Sequence, residues 1–342
     1  MWPWYQEALK NAFIENGLDA YDFGWFNSFW VRNNNTLKHK SIFHKIQYRL
    51  LFGPLIFKIN LKLYRKVNKL KPDIIFLYST TLLFNYTLKK IKKNNNQIKL
   101  CQYNNDSPFS KKGTKGLWRL FKSNIKLCDY HFIFRESDRE YYRKYGAKNI
   151  NLLMPYFIPK KDFKIPIDKI PKEFISDIVF AGHYENDGRL ELLENLYEKG
   201  YNLKLFGGGW NNVLKKNNSI LRKLMPIEPA TGIDYNYAIC GSKIALCFLS
   251  KINNDKYTRR NFEVPAMGKL MLSEYSNELS NLFEEDKEMV FFKNKNEFFF
   301  KIDLLLKDEL KRNLIESNLN KFCQKGHSVN DRADFIISKI GL

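Results

Sequence analysis

The chain has 342 residues, of which 44 % are hydrophobic and 15 % aromatic, and a formal net charge of +21. That is too long for one ordinary core and too apolar for a disordered chain, so two packed domains are expected. The five cysteines are scattered, with no Cys-x-x-Cys pair and no histidine at zinc-ligand spacing, which argues against a disulfide framework or a structural metal and for a reducing, cytoplasmic setting.

The charge is uneven: residues 1–160 carry about 29 Lys/Arg against about 10 Asp/Glu, whereas the remainder is nearly balanced. Such a field attracts polyanions, among them an anionic membrane surface; lysines spread over solvated faces are the plainer reading. Met1 to Phe13 does not read as a secretory signal, and the apolar run Leu50–Phe57 is too short to span a bilayer.

In chain order, Trp4–Asn16 reads as a helix ended by Gly17, and Asp19–Phe23 as a short strand. Ile42–Leu70 is a basic, apolar-striped helical stretch that Gly53-Pro54 breaks or kinks. Strands are expected at Asp73–Tyr78, Ile98–Tyr103 and Tyr130–Phe134, with helices at Thr81–Lys93, Leu117–Ile125 and Ser137–Tyr145. A doubly wound domain normally opens on a strand, and this chain opens in a helix, so either a first strand is missing, which is the expectation, or the domain simply begins with a helix.

Prolines at 155, 159, 166 and 171 mark a linker, after which the alternation restarts. Strands are expected at Asp177–Ala181, Leu203–Phe206, Lys243–Leu249, Leu270–Leu272 and Glu288–Phe292, with helices at Arg189–Lys199, Phe262–Met267 and from Asn296 to the end. The fold class is α/β, with a parallel sheet and helices on both faces in each half.

The segment Tyr257-Thr-Arg-Arg-Asn-Phe-Glu-Val-Pro-Ala-Met-Gly268 carries the most specific chemistry. Glu263 is placed just before a short helix that Pro265 opens and Gly268 closes, where a carboxylate can accept two hydrogen bonds from a ribose diol. The helix N-terminus offers backbone N–H groups to a pyrophosphate, and Arg259 and Arg260 can neutralise its charge. Gly182 and His183 begin a strand–glycine–loop–helix passage that would let amides approach phosphates, and Gly208 lies in a triple-glycine turn before Trp210. Trp210 fits a place beside a base or in a core. Lys243 fits a phosphate contact or a solvated strand end. Asp106, in the loop Asn104-Asn-Asp-Ser-Pro108 after a strand, fits a catalytic base or a turn former.

Arg-x-Phe-Glu-(apolar)-Pro-Ala-x-Gly followed by Met-Leu-(small)-Glu resembles the CgeB-like glycosyltransferases, within the group-1 (GT-B) enzymes. The resemblance also takes in Phe180–His183, Phe206–Trp210, Ser242–Ile244, Glu288–Phe292 and His327–Arg332, and it is weak in the N-terminal half. It implies a GT-B fold, two Rossmann-like doubly wound domains facing a cleft. Residues 1–158 would bind the acceptor, 159–175 form the linker, 176–320 bind the donor, and 321–342 form a helix crossing back. It implies Glu263 on the ribose and Arg189 beside the donor diphosphate. It also implies an acid eight positions before Glu263, near the sugar; here that residue is Asp255, and the glycine-rich surroundings of the group-1 pattern are absent.

There is no Asp-x-Asp pair for a divalent metal, so leaving-group charge would fall to Arg, Lys and helix dipoles. The expected function is metal-independent transfer of a hexose-type sugar from a nucleotide sugar to a hydroxyl of a glycan, lipid-linked or protein acceptor. No cofactor is expected. The resemblance implies retention of configuration; an inverting enzyme would need a base, for which Asp106 is the candidate. The membrane-facing stretch would be Ile42–Lys71, which has no acid. A catalytically inactive GT-B scaffold and a basic nucleic-acid-binding protein are the competing readings; no nucleic-acid recognition motif supports the second.

Overall fold

The computed structural model describes residues 3–33, 36–110 and 115–342. The chain divides into two compact units, Met1–Met154 with Arg332–Leu342, and Pro155–Asp331.

The first unit holds a short antiparallel hairpin, β1 (Trp30–Asn33) and β2 (Thr36–His39), and a four-stranded parallel sheet. Its strands are β3 (Ile74–Tyr78), β4 (Lys99–Asn104), β5 (Tyr130–Ile133) and β6 (Asn149–Leu152), in the order β3-β4-β5-β6. Leu100, Cys101, Gln102 and Tyr103 of β4 are all fully buried, as expected where helices cover both faces of a parallel sheet.

Sequence expectations and structure differ in this unit at Asp19–Phe23, at the hairpin and at β6, whereas the break expected at Gly53-Pro54 is present. Asp19–Phe23 is not a strand: it lines an apolar cavity of about 260 Å³ along β3, with Leu9, Phe13, Ile336 and Ile340. Among the described residues, no strand pairs with the outer edge of β3. The basic stretch forms two helices, Ile42–Leu50 and Pro54–Leu70, because Gly53 at φ 136° and Pro54 at the first helical position end one and start the other. The hairpin and β6 were not expected; both are four-residue strands too short to show a period.

The second unit is a five-stranded parallel sheet: β7 (Ser176–Ala181), β8 (Leu203–Phe206), β9 (Ser242–Cys247), β10 (Met271–Glu274) and β11 (Val290–Phe292). The order is β11-β10-β9-β7-β8. The chain therefore runs outward from β7 to β8, returns to the other side of β7 as β9, and proceeds outward again. That reversal makes the C-terminal ends of β7 and β9 a switch point, where loops from neighbouring strands diverge and leave a crevice. The core under it is built from Phe180, Ile244, Leu246, Leu272 and Trp210, each at most 2 % exposed. Burying one such side chain contributes roughly 1.5–3 kcal/mol.

The C-terminal stretch read as one helical region is three helices, Lys295–Lys307, Glu309–Gln324 and Val329–Ile340. Asp308 caps the second, accepting from Lys311 N at 2.8 Å. The third carries the chain from the second unit into the first, the division falling between Asp331 and Arg332.

Candidate functional site

At the switch point the loops after β7 and β8 interlock. Gly182 N donates to Phe206 O (2.8 Å), Tyr184 N to Gly208 O (3.0 Å) and Gly207 N to Glu228 O (3.1 Å). Trp210 is fully buried, and its Nε1 donates to Gly182 O at 2.8 Å. Of the two places open to it, Trp210 takes the core. Gly207 has φ +137°, and a Cβ there would lie 2.0 Å from Gly182 O. Glycine is required because two backbones touch. The expectation that these amides await phosphate is corrected: they are bonded to the neighbouring loop.

What this packing leaves at the edge is a pair of side chains. His183 is exposed, and its Nδ1 accepts from Gly208 N–H at 3.2 Å. In the neutral ring the proton then resides on Nε2. Desolvation against the loops, and then the Arg260 cation, lower the His183 pKa, so the neutral ring is the form favoured near pH 7. A Cβ at Gly208 would meet His183 Nδ1 at 2.8 Å, so a side chain there would push the ring out of this place. Arg260 is half-buried and donates from Nε to Ala181 O at 2.7 Å, which brings Nη2 beside Gly182. Gly182, His183, Gly208 and Arg260 thus converge.

Arg189 does not join them as a donor. It is 5 % exposed, gives Nε and Nη2 to the two oxygens of Asp187 (2.8 and 2.6 Å), and gives Nη1 to His183 O (2.7 Å). Its charge is compensated and its fork occupied, so its geometry is that of a loop clamp. Lys243 is misplaced more simply. It opens β9, beside Asp177 near the start of β7, and its Nζ lies 2.8 Å from Asp177 Oδ1. That is the N-terminal edge of the sheet, opposite the switch-point crevice.

Glu263 lies inside the helix Arg260–Ala266, not ahead of it. Pro265 sits late in that helix, and Gly268 at φ +67° follows its end. The helix starts earlier because Thr258 caps it: Arg260 N donates to Thr258 Oγ1 (3.2 Å), Asn261 N to Thr258 O (3.2 Å), and Thr258 N to Asn261 Oδ1 (2.8 Å). Phe262 N and Glu263 N both donate to Arg259 O at 2.9 Å. The first amides are thus already bonded, which corrects the expectation of a ready pyrophosphate cradle.

Glu263 is 5 % exposed, and its carboxylate accepts from Tyr235 OH across 3.4 Å, a long contact. Beside it stand Lys161 and Asp162, 2.8 Å apart. Burial, and then the Glu263 charge, push Asp162 up to about 6. The same two carboxylates hold Lys161 above the ordinary lysine value despite its burial. Arg259 stacks over the Tyr156 ring at 4.3 Å and acts on the same group of charges. Lys161, Asp162 and Tyr235 were not found from the sequence. The first two lie in the proline-rich stretch read as a linker, where a lysine and an aspartate carry no signal of their own.

Residues 189–338 match the model of a family described as Glycosyl transferase-like. None of the curated proteins matches the chain. Among solved structures, the chain is similar to Anabaena HepE in complex with UDP-glucose, at 14 % identity and TM-score 0.60, covering 84 % of each chain. It is similar to sucrose-phosphate synthase from Thermosynechococcus elongatus at 11 % identity and TM-score 0.63, covering 98 % of this chain and 91 % of that one. A glycosyltransferase from Rickettsia africae aligns at 11 % identity and TM-score 0.59, covering 91 % and 84 %. The chain has the GT-B fold.

Within this GT-B fold, Asp255 lies in the loop that leaves the C-terminal end of β9, its backbone N donating to Ser250 O at 2.9 Å. It stays on the switch-point side of the sheet. Asp106, in the first unit, is exposed in the loop after β4, and its carbonyl accepts from Asn104 Nδ2. The buried acid of that loop region is Asp138, which accepts from Ser107 Oγ at 2.8 Å and whose pKa burial raises. Among the described residues no three His, Cys, Asp or Glu side chains gather as a metal site, and no helix is long and apolar enough to cross a membrane.

Proposed function

We propose that this chain is a glycosyltransferase that moves a hexose-type sugar from a nucleotide-sugar donor to an acceptor hydroxyl, with the donor bound at the switch point of the second unit. The observation that carries the reading is the convergence of Arg260 and the Nε2–H of His183 over the interlocked glycine turns at that edge. Both groups can donate to anionic oxygens, and among the described residues no carboxylate pairs with Arg260. The family match over residues 189–338 and the resemblance of the Arg259–Gly268 segment to CgeB-like enzymes support the same reading.

In the reaction, the acceptor oxygen bonds to the anomeric carbon as the bond from that carbon to the diphosphate oxygen breaks. The acceptor proton passes to the departing diphosphate oxygen, and the negative charge that develops in the step collects on the diphosphate. Arg260 and Arg259 offset that charge, and the neutral ring of His183 donates its Nε2–H to it, in place of a metal. Glu263 accepts the ribose hydroxyls. Asp255 faces the sugar from its loop. Transfer proceeds with retention; in an inverting course Asp106 would take the acceptor proton. The acceptor is a hydroxyl of a glycan, a lipid-linked molecule or a protein.

HepE is described with UDP-glucose bound, which makes uridine diphosphate sugars the first donors to test. The test is a thermal-shift titration with nucleoside diphosphates and their sugars. A melting temperature that rises with one nucleotide sugar, chelator present or absent, and no longer rises in Glu263→Ala, is the expected result. No response to any nucleotide would remove the donor site. A response in Glu263→Ala equal to wild type would remove the ribose role while leaving the site.

A further inference from the structure

The first unit carries a surface that donor chemistry does not use. The helix Ile42–Leu50 turns at Leu51–Gly53 into the helix Pro54–Leu70. Both sides of that turn are fixed: Gln47 Oε1 accepts from Leu55 N at 2.9 Å, and Arg119 Nη2 donates to Leu50 O at 3.0 Å. One face of this helical hairpin is buried through Ile56, Ile59 and Leu63. The other holds Ile42, Phe43, Ile46, Leu50, Phe52 and Phe57, each at least 48 % exposed. Ile42, Ile46 and Leu50 stand four residues apart on one stripe of the first helix. Phe52 and Phe57 meet edge to face at 5.3 Å, which carries the apolar face across the turn.

Interleaved with these are Lys45, Arg49, Lys58, Lys62 and Arg65, all exposed. The sequence has ten Lys/Arg between residues 38 and 71 and no acid between residues 24 and 72. An apolar face in a cationic field fits one partner best. A second copy of this chain would bring the same cations against themselves. A nucleic acid would meet isoleucine, leucine and phenylalanine at the centre of the face, where it needs polar contacts. An anionic bilayer offers phosphate headgroups to the cations and acyl chains to the apolar stripe.

We propose that this helical hairpin seats the protein on an anionic membrane surface, with Phe43, Ile46, Phe52 and Phe57 entering the headgroup–acyl boundary and the flanking lysines and arginines on the lipid phosphates. The proposal rests on no part of the donor reading, and its test does not use nucleotides.

The test is co-sedimentation of the full chain with vesicles of phosphatidylcholine, alone or with about one-third phosphatidylglycerol, at low and high salt. Binding to the anionic vesicles should exceed binding to the neutral ones by about tenfold or more and fall steeply with salt. Phe43→Ser with Phe52→Ser should reduce it by about tenfold, since two apolar anchors are lost. Lys45→Ser with Lys58→Ser should weaken it mainly at low salt. Unchanged melting temperature and circular dichroism would show that both variants are folded. Equal binding to neutral vesicles, no binding, or binding indifferent to both pairs of substitutions would overturn the proposal. So would concentration-dependent self-association, or RNA retention, that the Phe43→Ser/Phe52→Ser pair abolishes, because the face would then belong to a second copy or to RNA.

Discussion

The two edges of the second sheet place cations in opposite circumstances. At the N-terminal edge, Lys243 and Asp177 face each other 2.8 Å apart, half in solvent, and satisfy one another. At the C-terminal edge, Arg260 reaches the last residue of β7 at Ala181 O without a carboxylate partner among the described residues, beside a histidine kept in one tautomer by a glycine amide. The first edge is an ordinary strand start. The second maintains charge and donors that the fold itself does not consume, which is where a ligand's charge is needed. Arg189 lies close to the second edge and behaves like the first, because Asp187 occupies its fork. Position along the strand and the presence of an acid, rather than residue type, separate the two.

That separation gives its largest test at Arg189. Removing one partner of an ion pair in which both side chains are 5 % exposed leaves Asp187 buried and uncompensated. Arg189→Ala should therefore destabilise the protein by about 3–5 kcal/mol, measured by denaturant unfolding. A loss below about 1 kcal/mol, as for a surface pair, would return Arg189 to the pool of residues available to a ligand. Arg260→Ala should act the other way round. Its folding cost is modest, but affinity for the stabilising nucleotide should fall by about ten- to a hundredfold in calorimetric titration, the range for a hydrogen bond to a charged group. An unaltered dissociation constant would break the contrast between the edges.

Much of this contrast was legible in the sequence, and the rest was not, for physical reasons. The runs Asp177–Ala181, Leu203–Phe206 and Lys243–Leu249 announce buried strands because a parallel sheet covered on both faces leaves continuous apolar stretches. The triple glycine at 207–209 announces close backbone contact, which Gly207 makes with Gly182 O. Hydrogen-bond partners were not legible. Arg189 and Arg260 look alike in sequence, and only the fold shows that Asp187 closes on one of them. The start of the Arg260–Ala266 helix was misplaced because Pro265 was read as an opener, whereas the Thr258 cap sets the boundary. Lys161 and Tyr235 reach Glu263 from segments about 100 and 28 residues distant, and no local pattern encodes such meetings. Asp19–Phe23 has strand composition, but a strand is defined by its ladder, and this segment has none.

A smaller effect sharpens the comparison from inside the unit. Asp162 is held at about 6, above the ordinary aspartate value, chiefly by burial and then by Glu263. The folded state therefore holds this proton more tightly than the unfolded chain does. Its contribution to stability is full below about pH 4 and is lost as pH rises through about 6. Relative to wild type, Asp162→Asn should thus gain stability between pH 4 and pH 7, read as a widening difference in melting temperature. Parallel curves would show that Lys161 already neutralises Asp162 in full.

The smallest expected effect lies at the opposite edge. The Lys243–Asp177 pair is half exposed on the lysine side, so water screens it and side-chain entropy offsets what Coulomb attraction gives. Lys243→Ala should shift stability by no more than about 0.5 kcal/mol and leave nucleotide affinity within error, because the residue stands a full strand length from the C-terminal ends of β7 and β9. From Lys243 to Cys247 the strand rises roughly 13 Å, beyond the reach of a lysine side chain and beyond the screening length in ordinary buffer. A clear loss of nucleotide affinity in this variant would mean that the ligand lies at the N-terminal edge, and the contrast between the two edges would have to be reversed.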